Sequence, residues 1–161
     1  MPDTEILQGL RASPPRRYLA AVMLAALAAL FLWIGVAEPL AWPWRVAMTG
    51  AGGAIGYICW RMWRDTRGAL VLTRQGIFTD RGIAVAPLAD VVSVDRGAFA
   101  FKPSNGFVVR LRRSAAPAWR PGLWWRIGGR IGVGGVTPAA EARAMAEALA
   151  LLLHERNAHF D

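Results

Sequence analysis

The chain has 161 residues, of which 55% are hydrophobic, and a formal net charge of +8. A single cysteine excludes an internal disulfide and a thiolate metal cluster, and the length leaves room for one small domain beside any membrane segment. Lys102 is the only lysine among 19 basic residues, and many of the arginines flank apolar runs without a recognition motif, so no nucleic-acid partner is expected.

Residues 1–17 read as a polar cytoplasmic tail ending in Ser13-Pro14-Pro15-Arg16-Arg17. The tail is either disordered or carries a short amphipathic helix near residues 5–10. Residues 18–37 follow without a charge and are apolar all round, long enough for the roughly 30 Å hydrocarbon core. A cleavable signal sequence is disfavoured, because its apolar region would run about 7–15 residues to a small-x-small cleavage site. Here the run is longer and leads into Glu38-Pro39. Residues 46–60 form a shorter run bracketed by Arg45 and Arg61, whose side chains can snorkel to headgroups. Trp42 and Trp44 at one end and Trp60 and Trp63 at the other suit aromatic belts. The two runs therefore predict a transmembrane helical hairpin over residues 18–64. Gly52 and Gly56 have the spacing that lets membrane helices approach closely, with the Ala-rich face around Ala21, Ala25 and Ala28 as the expected partner. Another subunit on that face is the alternative. Arg11, Arg16 and Arg17 precede the hairpin and Arg61, Arg64 and Arg67 follow it, which by the positive-inside rule puts both termini in the cytoplasm of an inner-membrane, multi-pass protein. Cys59 falls inside the second run and reads as apolar filler.

Past residue 68 the period changes to that of short strands. Residues 69–73, 77–79 and 83–86 are β-prone, separated by turns at Arg74-Gln75-Gly76 and Asp80-Arg81-Gly82. Residues 91–102 suggest a long strand bent at Gly97, and Asn105-Gly106 signals a hairpin. Residues 107–113 alternate, with Phe107, Val109 and Leu111 on one face. Residues 114–123 read as a loop and residues 130–136 as a last strand. Thr137 is the expected N-cap and Pro138 the first position of a helix over residues 139–156, burying Ala142, Met145, Leu149 and Leu152. Residues 157–161 are a tail. The expected fold class is α+β: a helical hairpin, a small antiparallel sheet or barrel over residues 68–156, and one C-terminal helix.

This element order resembles that of bacterial PH-like membrane proteins. Leu70-Val71-Leu72-Thr73-x-x-Gly76-Ile77 is similar to that family's first β-hairpin. Pro87-Leu88-Ala89-Asp90-Val91 stands where the family tends to have an aromatic-x-Asp-Ile step, and the aromatic is missing. The resemblance implies a strongly bent sheet closed at one end by the C-terminal helix, and it implies no activity.

Chemistry-bearing sets are scarce, so neither an enzyme nor a cofactor or metal is expected. His154 and His159 sit at the extreme C-terminus, and Asp80, Asp90 and Asp95 lie at turns beside Arg or Gly. Ser93, Ser104 and Ser114 lack a nucleophile-elbow context. The glycines from Gly128 to Gly135 fit neither the P-loop nor the dinucleotide spacing. Trp119, Arg120, Trp124, Trp125 and Arg126 form the stretch most suggestive of contact with anionic lipid headgroups or a membrane-protein partner, with one or two of the tryptophans filling the core instead. The expected function is a non-catalytic interaction module tethered to the bilayer. A small accessory subunit of a larger membrane complex, or a self-associating one, is the alternative.

Overall fold

A computed structural model describes residues 5–39, 41–95 and 106–158. Among them the fold is α+β, with two antiparallel sheets and one C-terminal helix. The chain opens with β1 (Ile6–Arg11), then α1 (Pro14–Ala37) and α2 (Trp42–Asp65). The strands β2 (Ala69–Thr73), β3 (Gly76–Thr79) and β4 (Ala84–Pro87) complete the first sheet in the order β1-β2-β3-β4. After a 3-10 turn at Leu88–Asp90 come β5 (Val91–Asp95), β6 (Phe107–Leu111), β7 (Ala118–Arg120), β8 (Trp124–Ile127) and β9 (Arg130–Val133). These form the second sheet in the order β5-β6-β9-β8-β7. The helix α3 (Ala139–Ala158) ends the fold.

The expectation of an unstructured or helical N-terminal tail is corrected by β1. It pairs antiparallel with β2, Leu10 opposite Leu70 and Arg11 opposite Ala69. Leu10 is 0% exposed and belongs to the core. The helical hairpin is thus inserted between two neighbouring strands of one sheet. Pro14 and Pro15 do not end order here; they occupy the first turn of α1, where a missing N–H costs nothing. Ser13 N–H donates to Val136 O at 2.8 Å, tying the start of α1 to the segment before α3.

The helices α1 and α2 pack antiparallel through their small residues. A Cβ placed on Gly52 would lie 2.7 Å from Leu32 Cγ, and one on Gly35 2.6 Å from Thr49 Oγ1. Farther along, Gly56 faces Ala28, and Cys59 Sγ donates to Ala21 O at 3.4 Å. Gly50 and Gly53 face away, with nothing near them. Each helix has 24 residues, about 36 Å at 1.5 Å per residue. Among the described residues only α1 is apolar enough, by length and composition, to cross a membrane; α2 carries Arg45, Arg61, Arg64 and Asp65 and four glycines.

Both sheets and α3 share one core. The first sheet supplies Leu10, Leu70, Leu72, Ile77 and Val85, and the second supplies Val91, Phe107, Val109, Ile131 and Val133. Ala142, Met145 and Leu149 of α3 complete it, Ala146 joins them, and Leu152 packs at its edge. The expected N-cap bond is absent: Thr137 Oγ1 is buried without a hydrogen-bond partner, while Ala142 N–H reaches Pro138 O. The strand expected over residues 91–102 is ordered as β5 to Asp95. Its continuation, the Gly97 bend, Ser104, Asn105 and His159 lie outside the described residues.

Candidate functional site at the helix–sheet junction

The loop expected over residues 114–123 contains β7, and this changes the meaning of the Trp/Arg stretch. Trp119 pairs with Trp125, and Arg120 with Trp124. Strand alternation therefore divides the five side chains between two faces. Trp124, Arg120 and Arg126 point to one side. Trp124 is 7% exposed and packs in the core, so it is no part of an outer surface. Arg126 Nε donates to Ala116 O at 2.9 Å, closing the base of the β7–β8 hairpin. Trp119 and Trp125 point to the other side in one row with Gly132 of β9. A Cβ on Gly132 would lie 2.3 Å from the Trp125 ring, so the indole lies directly on the bare backbone. Gly132→Val is expected to lift Trp125 off the sheet and destabilise the domain by about 1–3 kcal/mol through overpacking. A lowered unfolding midpoint together with a changed indole fluorescence checks this.

The tip of the β7–β8 hairpin docks on the end of α2. Gly122 (φ +84°) places its backbone against Met62, Thr66 and Val136, where a side chain would clash. Asp65 sits beneath, its side chain 2% exposed. Arg120 Nη1 donates to Asp65 Oδ1 at 3.0 Å. Arg61 Nε is 3.5 Å from Oδ2, and Arg64 Nε 3.7 Å from Oδ1. The Arg61 contact is an ion pair without hydrogen-bond alignment, so Asp65 Oδ2 and Arg61 Nε are both buried with no hydrogen-bond partner. One buried carboxylate thus gathers three guanidinium groups from α2 and β7.

The aromatic side chains at this junction are stacked on Arg61 and Arg64 of this cluster and on Arg17. Arg17 lies 4.0 Å over the Trp63 ring and donates to Trp63 O at 2.9 Å. Tyr18 meets Trp63 edge to face at 5.2 Å. Arg64 lies 4.7 Å over Trp60, and Arg61 sits 5.8 Å over Trp119 while donating to Trp119 O. Arg16 donates to Thr137 O at 2.8 Å. The result is a collar of tryptophans and arginines around the open end of the helical hairpin, where the sheets begin.

Beside this collar a cleft of about 530 Å³ opens between the end of α2, the start of β2, the β3–β4 turn and the β7–β8 hairpin. Arg64, Asp65, Arg67, Asp80, Arg81 and Arg120 form its polar wall. The sequence reading missed this cleft because its lining comes from four separate elements. Among the described residues no three His, Cys, Asp or Glu side chains converge, and His154 lies exposed on α3. The glycines of the β8–β9 region serve turns and close packing: Gly128 (φ +58°) turns the hairpin, and Gly135 lies against the backbone of Gly122.

These features define the class: an α+β protein with an apolar helix standing out from a two-sheet domain and a basic, aromatic collar where they meet. No protein-family model matches the chain, and no curated protein and no solved structure matches it.

Proposed function

We propose that the chain is a non-catalytic integral membrane protein that holds a PH-like interaction domain against lipid headgroups. In this reading α1 and α2 cross the inner membrane as a hairpin and both termini lie in the cytoplasm. The observation that carries it is the surface of α1. Only 11% of its most apolar 18-residue window is buried, and Val22, Met23, Leu30, Trp33 and Val36 face outward. A core helix of a soluble domain would be covered, and oil-facing side chains without cover point to lipid. A cleaved signal sequence is hard to reconcile with β1, since cleavage after α1 would remove a strand that fills the core. The arginines of α2 stand at its two ends, where they reach headgroups, and Gly52 and Gly35 let α2 close onto α1. The collar then lies at headgroup depth with Trp119 47% exposed beside Trp125, the side chains expected at an interface. Two sheets followed by a closing helix are compatible with the PH-like resemblance, which offers no function by itself.

The full chain is expected to remain in the membrane pellet after alkaline carbonate extraction, and release into the supernatant would overturn the reading. In nanodiscs, hydrogen exchange across residues 114–126 is expected to be slower on anionic than on zwitterionic lipid. Replacing Trp119 and Trp125 by Ala should remove most of that difference; an unchanged difference argues against headgroup contact by this hairpin. The accessory-subunit reading draws on one observation, the open outer side of α2 at Gly50 and Gly53. Copurification of a stoichiometric partner in mild detergent, lost on Gly53→Leu, would favour it.

A further inference from the structure

We infer that the cleft beside Asp65 binds the headgroup of an anionic glycerophospholipid, Arg67 and Arg81 holding the phosphate and Asp80 accepting a headgroup hydroxyl. The inference rests on the membrane reading above, which puts this cleft at headgroup depth: Arg64 and Asp65 are in the last turn of α2, just past Trp60 and Trp63. Its volume of about 530 Å³ falls within the range of small-ligand sites. Four arginines and two aspartates stand in the wall. Arg64 and Arg120 are engaged with Asp65. Among the described residues Arg67 and Arg81 have no ion-pair partner, so two guanidinium groups of the lining are left to bind a ligand.

Guanidinium groups match phosphate oxygens in geometry as well as charge. A site for phosphate alone would gain nothing from carboxylates in the same wall. Asp65 is held beneath its arginines, but Asp80 is exposed and stands beside Gly68 in the same lining, an acceptor next to the two guanidinium groups. A ligand that donates as well as accepts satisfies both: a phosphodiester carrying a hydroxylated headgroup, as in phosphatidylglycerol. Apart from Thr79, the remaining wall, including Leu70, the exposed Ile83 and Leu123, is apolar and suits the first acyl carbons.

The test uses the full chain in phosphatidylcholine nanodiscs with and without phosphatidylglycerol. Phosphatidylglycerol retained through detergent exchange is counted by mass spectrometry. Wild type is expected to retain this lipid selectively. Arg67→Gln with Arg81→Gln should weaken retention roughly thirty-fold, from the usual contribution of an arginine near an anionic surface. Arg130→Gln with Arg143→Gln, equal in charge change but elsewhere on the domain, should not. Equal loss in both double variants, or no selectivity in wild type, overturns the site while leaving the membrane reading intact. Tight binding of free glycerol phosphate in lipid-free detergent would assign the cleft to a soluble phosphate and overturn the lipid source. A chain that does not enter nanodiscs at all overturns both readings together.

Discussion

Leu10→Asp is expected to unfold the two-sheet domain while α1 and α2 stay helical. Leu10 is wholly buried between Leu70 and the α3 side of the core, and β1 reaches it from across the entire helical hairpin. Removing a buried leucine side chain costs about 2–5 kcal/mol. Placing a carboxyl group in the same apolar site adds several kcal/mol more. Together these approach the roughly 5–15 kcal/mol that holds a domain folded. Detachment of β1 would also expose the ladder groups of β2 along Leu70, Val71 and Leu72. Ile6→Asp is the control: Ile6 is 60% exposed on the same strand, and the change should stay within about 0.5 kcal/mol. Limited proteolysis of the full chain in detergent distinguishes them. Leu10→Asp should open the region after residue 66 to cleavage; a protected domain in that variant would show β1 to be dispensable. The same reasoning predicts that a fragment beginning after α2 is unstable, because it lacks the strand that covers β2.

Asp65→Ala is expected to lower stability by about 2–3 kcal/mol. Removing one partner from a buried charge pair costs about 3–5 kcal/mol. Here the figure is reduced because Arg61, Arg64 and Arg120 keep 31%, 57% and 44% of their side-chain surface in solvent, where their mutual repulsion is screened. What is lost is the anchor between α2 and β7, since the 3.0 Å bond from Arg120 is the best-formed contact of the cluster. For a domain near one hundred residues the loss corresponds to roughly 10–20 °C in unfolding midpoint. Arg120→Gln should reproduce about half of it, and Arg64→Gln, whose contact is 3.7 Å, very little. A double-mutant cycle between Asp65 and Arg120 isolates the pair. A coupling near zero would mean that the β7–β8 hairpin is held by Gly122 packing alone.

Elements with a strong local signal were readable from the residues themselves. The C-terminal helix shows its buried face through Ala142, Met145 and Leu149, and that face is the one in the core. The strands β2 and β3 appear where β-prone runs lie between turns, and β6 where Phe107, Val109 and Leu111 alternate with their neighbours. Of the expected pair Gly52 and Gly56, Gly52 lies where a Cβ would meet Leu32 at 2.7 Å, whereas Gly56 has room for one beside Ala28. By contrast, β1 has only one buried side chain in six residues, so no alternation betrays it. β7 spans three residues beside prolines and was indistinguishable from a loop. Its pairing decides that Trp124 lies inside and Trp119 outside, a division that an irregular loop would not impose.

The order of residues alone determined that one uncharged run is long and apolar enough to cross a membrane, that basic and indole side chains gather near it, and that a small mixed domain follows. Those properties are local, carried by consecutive residues. Which strand adopts the N-terminal segment, which carboxylate collects the arginines, and where a cleft opens were settled only by tertiary structure. Each depends on side chains far apart in sequence meeting at one place: Leu10 with Leu70, Asp65 with Arg120, and Arg67 with Arg81. Such meetings are set by the closing of a shared core, to which no single segment holds the key.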